Sequence, residues 1–165
     1  GDVYGLFKAY CTRVGSGPFP TELHDEQGET LRRAGHEFGA TTGRPRRCGW
    51  LDLPALHYAA RLSGVNKLIV TKADVLSGFG EVKVAVRYEG MNSHRDSYPT
   101  HQDACVPVYR SFDGWSLTPG KNYQSLEELP ATLRAYLTFL EESLDCPVHW
   151  VSLGPDRQST LQTRP

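Results

Sequence analysis

The sequence predicts an α/β fold in which a mostly parallel sheet is flanked by helices. Short runs rich in β-branched residues recur along the chain, and stretches with helical spacing of apolar residues lie between them. The run at residues 67–70 (KLIV) is continuously apolar, which is typical of a strand buried on both faces of a parallel sheet. This alternation of helices and strands favours a mixed or mostly parallel sheet.

Five segments are predicted to be strands. Glu81–Tyr88 alternates cleanly, with valines on one face, and Pro107 favours an edge position for the strand that contains it. The predicted strands are residues 6–14, 67–70, 81–88, 106–110 and 148–152.

Two segments show helical periodicity. In residues 52–62, Asp52 is an N-cap candidate and Ser63–Gly64 is a typical end. Its predicted apolar face consists of Leu53, Leu56 and Ala60, with Ala59 as a further candidate. In residues 125–144, Ser125 and Glu128 have the spacing of a capping box. The apolar repeat of this longer helix is Leu133, Tyr136, Leu137, Leu140 and Leu144.

Length and composition limit the class of protein. The chain has 165 residues, 39% hydrophobic residues and a net charge of -1, which indicates a globular domain rather than a disordered chain or a strongly basic nucleic-acid binder. It starts at Gly1, and Met91 is its single methionine, so we expect a piece of a longer protein. No apolar run approaches about 18 residues, and no membrane span is predicted.

The cysteines and histidines predict neither disulfides nor a metal site. Four cysteines are spread along the chain without a CxxC pair, which indicates reduced thiols and a cytoplasmic protein. His94, His101 and Cys105 fit no zinc spacing, and we interpret their segment, residues 90–103, as a polar surface loop.

An arginine-rich loop covers residues 39–49 (GATTGRPRRCG). Its small residues let a ligand approach the backbone N–H groups, and the hydroxyls of Thr41 and Thr42 are further donors. Arg44 and Arg46 can each bind a carboxylate or phosphate through two parallel hydrogen bonds. The arginines repel one another, and a bound anion would relieve that repulsion. The loop is therefore either an anion site or a solvated basic surface.

The tetrapeptide Thr71-Lys72-Ala73-Asp74 directly follows the apolar strand. At the carboxyl end of a parallel strand, loop residues face a ligand crevice. A carboxylate at Asp74 could accept hydrogen bonds from N1–H and the 2-amino group of guanine, as the Asn-Lys-x-Asp tetrapeptide of GTPases does. The alternative is a Lys/Asp pair in an ordinary turn.

Residues 152–157 (SLGPDR) directly follow the last predicted strand, and Ser152 and Gly154 there would permit close contact with a flat ring. The alternative is an ordinary Gly-Pro turn. No Gly-x-x-x-x-Gly-Lys-Ser/Thr phosphate loop opens any helix.

Together these segments resemble the adenylosuccinate synthetase family. The resemblance rests on residues 8–23 (KAYCTRVGSGPFPTEL), 37–52 (EFGATTGRPRRCGWLD), 71–76 (TKADVL) and 152–157, in the family's order and spacing. It implies that the whole of residues 1–165 is the C-terminal segment of such an enzyme. The implied fold is the C-terminal part of a central sheet related to P-loop nucleotide-binding architecture, without the P-loop segment.

The resemblance also implies a reaction and its binding residues. The family joins IMP to L-aspartate with GTP and Mg²⁺, giving adenylosuccinate in AMP biosynthesis, and the implied partners are these ligands and a second subunit of a homodimer. The aspartate loop would be Ala40, Thr41, Thr42, Gly43, Arg44, Pro45 and Arg46. IMP would contact Arg44 and Val14 in the region of residues 14–17, and GTP would contact Arg46, Lys72, Ala73, Asp74, Ser152, Leu153 and Gly154.

The chain departs from the family's pattern at its front. The phosphate loop, the catalytic aspartate, the general-acid histidine and the Mg²⁺ ligands have no counterpart here, so we expect no catalytic residue in this segment and no ligase activity from it alone. Pro45 stands where some relatives have a third arginine, and its fixed φ stiffens the loop. Two alternatives stay open: a guanine-nucleotide binding module, and a small anion- or RNA-binding domain.

Overall fold

The computed structural model describes residues 1–164, which divide into two compact units. The first unit comprises Gly1–Ala9, His57–Val82 and the chain from Phe112 onward. The second unit comprises Tyr10–Leu56 and Lys83–Ser111. The predicted α/β class is confirmed, with three α-helices and mixed, mostly parallel sheets.

A four-stranded sheet forms the centre of the first unit. Its strands are β1 (Tyr4–Lys8), β5 (Lys67–Thr71), β8 (Val148–Ser152) and β9 (Thr160–Gln162), in the spatial order β1-β5-β8-β9. β1 and β8 both run parallel to β5, and β9 is antiparallel to β8. The carboxyl ends of the three parallel strands therefore lie at one edge of the sheet.

β5 is buried on one face only, which corrects the prediction from its apolar run. Leu68 and Val70 are buried, whereas Ile69 between them is half-buried. The predicted strand at residues 148–152 is confirmed as β8.

The helix α3 (Ala131–Leu144) contacts β8, and all five residues of its predicted apolar stripe are buried. The predicted start at Ser125 is wrong. Residues Leu126–Glu128 form a single 3₁₀ turn, Ser125 makes no capping hydrogen bond through its side chain, and Leu129 is extended. Pro130 explains the break, because proline disfavours helical geometry in the residue before it.

The second unit contains a two-stranded antiparallel ladder of β2 (Cys11–Arg13) and β3 (Arg47–Gly49). The helix α1 (Glu26–Ala34) contacts β3. The predicted strand at residues 6–14 is therefore two strands in different sheets. Ala9 and Tyr10, which separate them, are both buried, and this interrupts the alternation that a continuous strand would show.

A three-stranded sheet has the order β4-β6-β7, where β4 is Leu51–Asp52, β6 is Glu81–Tyr88 and β7 is Pro107–Asp113. β6 has the predicted bounds, with Val82 and Val84 buried. β7 lies at the sheet edge, as Pro107 predicts, and extends three residues beyond the predicted end at 110.

The helix α2 (Leu53–Leu62) has its predicted cap and end. Oδ1 of Asp52 accepts a hydrogen bond from the Ala55 N–H at 3.1 Å, and Gly64 has a φ of 64°. The predicted apolar face needs one correction, because Ala59 is exposed and His57 is buried in its place.

Asp52 is almost fully buried, and both of its carboxylate oxygens are used. Besides the cap, Oδ2 accepts a hydrogen bond from the Tyr88 hydroxyl at 2.7 Å. Burial raises the pKa of this carboxyl above its usual value, and the hydrogen bonds from Tyr88 and Ala55 only partly oppose the effect.

Replacing Asp52 should reveal its two roles. Asp52→Ala removes the cap and leaves the Tyr88 hydroxyl without its acceptor, so the free energy of unfolding should fall by about 1–3 kcal/mol. Asp52→Asn keeps a capping oxygen and should cost less. Urea unfolding of the two variants measures the difference, and equal losses would contradict this assignment.

The raised pKa also predicts a pH dependence. The folded chain binds the Asp52 proton at a higher pH than the unfolded chain does, so stability falls as pH rises between the two pKa values. The wild type should therefore gain stability relative to Asp52→Asn as pH falls from neutral toward about 4. A stability difference that does not change with pH would contradict the raised pKa.

Candidate functional site

The predicted guanine-reading turn lies at the carboxyl edge of the first unit's sheet. Thr71 ends β5, and its hydroxyl donates to the Phe7 carbonyl at 3.0 Å. Lys72 has a φ of 59°, in the left-handed region that residues other than glycine rarely adopt. The buried Ala73 donates its N–H to the Ser152 carbonyl at 3.2 Å. This hydrogen bond joins the two loops that the sequence singled out separately.

A pocket of about 480 Å³ opens at this edge of the sheet. Asp74, Leu153 and Gly154 line it, together with the following residues Pro155 and Asp156. Lys72, Ala73 and Ser152 are not among the lining residues, and hydrogen bonds of Ala73 and Ser152 hold the backbone of its walls. The Ser152 hydroxyl, for example, donates to the Gly154 carbonyl at 3.1 Å.

Gly154 lies in close contact with a neighbouring side chain. A Cβ at this position would lie 2.9 Å from Oγ and 3.0 Å from Cβ of Ser159, which also lines the pocket. A larger residue would push Ser159 away, so glycine keeps this wall compact.

Asp74 is the half-buried acid of the pocket. Burial raises the pKa of its carboxyl, although backbone N–H groups and the charge of Lys72 oppose the shift. A carboxylate in such surroundings gains from a ligand that brings hydrogen-bond donors, because partly desolvated charge needs partners.

A further wall of this pocket was not predicted from the sequence. It consists of the consecutive residues 117–123 (LTPGKNY), and Gly120 there has a φ of 73°. The turn-forming residues Pro119, Gly120 and Asn122 were the local signal for a loop, but nothing in the sequence places that loop beside Asp74.

The predicted aspartate loop belongs to the second unit, and its tip is exposed. Residues 40–45 are all exposed, and Arg46 is half-buried. The loop is closed by two backbone hydrogen bonds of 2.8 Å, from Gly39 N–H to the Arg44 carbonyl and from Gly43 N–H to the Gly39 carbonyl. Gly43 has a φ of 64°, which the tight turn requires.

Arg46 is held by a buried acid at the base of the loop. Its guanidinium donates to Oε2 of Glu37 at 2.8 Å, and Glu37 is fully buried. The Tyr10 hydroxyl donates to the other oxygen of Glu37 at 2.6 Å, and Nε of Arg32 donates to the Arg46 carbonyl at 2.8 Å. The base of the loop is thus fixed from three sides.

Arg47 is paired with Glu22. Its Nε and Nη2 donate to the Glu22 carboxylate at 2.9 and 2.6 Å, and this pairing lowers the pKa of Glu22 below its usual value. Nη1 donates to the carbonyls of Gly15 and Gly17 at 3.1 and 2.8 Å. Arg47 therefore fixes the loop that precedes Phe19, over whose ring its guanidinium lies at 5.6 Å.

These pairs correct the expectation of three mutually repelling arginines. Glu37 and Glu22 already neutralise Arg46 and Arg47. Arg44 differs, because within residues 1–164 the structure records no ion pair or hydrogen bond of its guanidinium. It is the arginine of this loop that is available for an added anion.

Val14 lies at the entry to the glycine loop and is 78% exposed. The guanidinium of Arg13 donates to the Ser16 carbonyl at 3.1 and 3.3 Å, alongside the contacts from Arg47. The carbonyls of this loop are thus occupied, and the side chain of Val14 stays at the surface.

The histidines and cysteines of residues 1–164 are not part of a metal-binding cluster. Within residues 1–164 no group of three or more His, Cys, Asp or Glu side chains has the arrangement of a metal site, and no helix there is long and apolar enough to cross a membrane. Within these residues none of the four cysteines forms a disulfide, and the Cys105 thiol donates to the His101 carbonyl at 3.6 Å.

Comparisons with known proteins show the family to which this chain is related. The family model described as adenylosuccinate synthetase matches residues 1–161. Adenylosuccinate synthetases from Cytophaga hutchinsonii and Parabacteroides distasonis are 51% and 52% identical over 98% of this chain. The chain spans 38% of the length of each of these relatives.

A solved structure shows the same fold. It is the fully ligated adenylosuccinate synthetase from Plasmodium falciparum, which superposes with a TM-score of 0.91 at 37% identity over 99% of this chain and 40% of that one. These matches cover almost every residue, and the chain belongs to the adenylosuccinate synthetase family.

Proposed function

We propose that this chain is the substrate-binding segment of an adenylosuccinate synthetase, a GTP-dependent carbon–nitrogen ligase of AMP biosynthesis. As one domain-sized segment, residues 1–165, it supplies the sites for L-aspartate, for part of IMP and for the guanine base of GTP. Family membership supports the reaction. The observation that carries the base site is the hydrogen bond between Ala73 and Ser152, which brings Asp74 and Gly154 to one pocket.

In the proposed reaction, GTP phosphorylates the 6-oxygen of IMP and the aspartate amine then displaces phosphate. Residues of this segment bind and orient and move no proton, so the segment alone should have no ligase activity. Mg²⁺ enters the proposal through the family. The resemblance to the family places its ligands in a part of the enzyme outside this segment. Dimerisation and a cytoplasmic location are likewise proposed from the family.

Asp74 would read the guanine base. Guanine presents two donors, N1–H and the 2-amino group, on one edge, and a carboxylate can accept both. Adenine presents a lone pair at N1, which a carboxylate would repel. Partial burial strengthens this discrimination, because a desolvated carboxylate left without donors is costly.

Arg44 would hold the aspartate substrate. Its guanidinium is uncommitted within residues 1–164, and it stands on an exposed loop with the hydroxyls of Thr41 and Thr42 nearby in sequence. A dicarboxylate suits a guanidinium, which can grip one carboxylate through two parallel hydrogen bonds. Arg46 and Arg47 are already paired with carboxylates, which disfavours the alternative of an RNA-binding arginine cluster.

Asp74→Asn tests the base assignment. The amide oxygen still accepts from N1–H, but the amide nitrogen faces the 2-amino group as a second donor. Affinity for GDP should fall about 10- to 100-fold, since a charged hydrogen bond is worth about 1.5–3 kcal/mol. Xanthosine diphosphate, which has an acceptor at position 2, should bind the variant better than it binds the wild type. Nuclear magnetic resonance titration of the chain measures both affinities.

Asp103→Asn, in the exposed polar loop, is the matched control and should leave GDP affinity unchanged. A variant at Asp74 that keeps the wild-type preference for GDP over xanthosine diphosphate would show that this carboxylate does not read the base.

Arg44→Leu tests the aspartate assignment in a complete synthetase that carries this segment. The loss of a charged partner should raise KM for aspartate about 10- to 100-fold, while KM for GTP changes little. Steady-state kinetics with each substrate varied in turn separate the two effects. Arg61→Leu, on the exposed surface of α2, removes the same charge as a control, and unchanged aspartate kinetics in Arg44→Leu would refute the assignment.

A further inference from the structure

A buried tryptophan holds the backbone of the predicted guanine-reading turn. The indole N–H of Trp115 donates to the Ala73 carbonyl at 2.9 Å, and both residues are buried. The N–H of Ala73 is used as well, by the Ser152 carbonyl. The residue directly before Asp74 is therefore fixed by one hydrogen bond on each side.

Two further hydrogen bonds join the segment after Trp115 to the segment after Asp74. The Ser77 hydroxyl accepts from the Leu117 N–H at 2.8 Å, and the Trp115 carbonyl accepts from the Gly78 N–H at 2.8 Å. Ser77 and Leu117 both line the pocket. These two stretches, about forty residues apart in sequence, are held as one body at the pocket wall.

The pocket wall formed by residues 117–123 is itself well braced. The Tyr123 hydroxyl accepts from the Thr118 N–H at 3.0 Å, and the Lys121 N–H donates to the Thr118 carbonyl at 3.2 Å. The Lys121 ammonium lies 4.6 Å from the centre of the Tyr123 ring and 3.5 Å from the carboxylate of Glu128. These contacts hold the wall together without the help of a ligand.

The conformation of Lys72 shows why this bracing is needed. A left-handed residue other than glycine persists only where the surrounding structure holds it. The two hydrogen bonds on the adjacent Ala73 supply that restraint, and Asp74 follows directly. The direction of the Asp74 carboxylate therefore depends on the Trp115 indole, although Trp115 itself is not among the residues that line the pocket.

We infer that Trp115 is a positioning residue for guanine recognition and that residues 117–123 are a third wall of the base site. This inference rests on the proposed function of Asp74. The hydrogen bond between Trp115 and Ala73 fixes the backbone of the turn, and the turn orients the Asp74 carboxylate. The carboxylate then accepts a hydrogen bond from the 2-amino group of guanine. The affected property is selectivity for guanine over hypoxanthine, which lacks that amino group.

Trp115→Phe tests the inference, because it keeps an aromatic ring and removes the N–H. The 165-residue chain is titrated with GDP and with inosine diphosphate, and binding is followed by nuclear magnetic resonance. The wild type should prefer GDP about 10-fold or more, and the variant should lose about threefold or more of that preference. Loss of folded protein alone would weaken both nucleotides equally and leave the ratio unchanged.

Two further variants make the outcome decisive. If Trp115→Phe does not fold, Ser77→Ala supplies the test. It removes the hydrogen bond between Ser77 and Leu117 without changing the tryptophan, and it should lower the same ratio. Trp150→Phe, in β8, is the matched control, since no hydrogen bond of its indole is recorded within residues 1–164, and it should leave the ratio unchanged.

The two hypotheses fail differently. A wild type that binds GDP and inosine diphosphate equally would overturn the proposed base site and the inference with it. A wild type that prefers GDP, loses this preference in Asp74→Asn and keeps it in both Trp115→Phe and Ser77→Ala would overturn the positioning role alone.

Discussion

The parallel pairing of β5 with β8 is the constraint on which the base pocket depends. Because the two strands run in the same direction, the loops that follow them leave the sheet at the same edge. The hydrogen bond from Ala73 to Ser152 extends this pairing one step beyond the strands. Without that register, Asp74 and Gly154 would be unrelated loop residues separated by most of the first unit's sequence.

The two units prepare for ligands in different ways. In the first unit the pocket is preformed, since its walls are joined by hydrogen bonds that Trp115 and Ala73 donate and by one that the Ser77 hydroxyl accepts. In the second unit the base of the arginine loop is fixed by Glu37 while its tip lies in solvent. A preformed pocket saves the entropy of ordering, whereas an exposed loop must pay it when a ligand binds.

The sequence was sufficient to predict those elements whose pattern lies within a few consecutive residues. Neighbouring residues were enough to predict the alternation of β6, the cap of α2 at Asp52 and the loops that follow β5 and β8. It was insufficient where structure depends on distant partners. The helix α1 contains a single large apolar residue, Leu31, and only Leu31 and Gly28 are buried, so few apolar residues were available from which to predict it. The contact between Trp115 and Ala73 has no signature in either segment.

The pairing of Arg46 with Glu37 and of Arg47 with Glu22 has a consequence for how an anion approaches this chain. Three arginines within four residues suggest a strong local field, but two of the charges are compensated within a few ångströms. A diffusing anion senses chiefly the single charge of Arg44, and salt screens such an exposed charge beyond about 8–10 Å. Capture at this loop is therefore a short-range event governed by fit, and its association rate should vary only weakly with ionic strength.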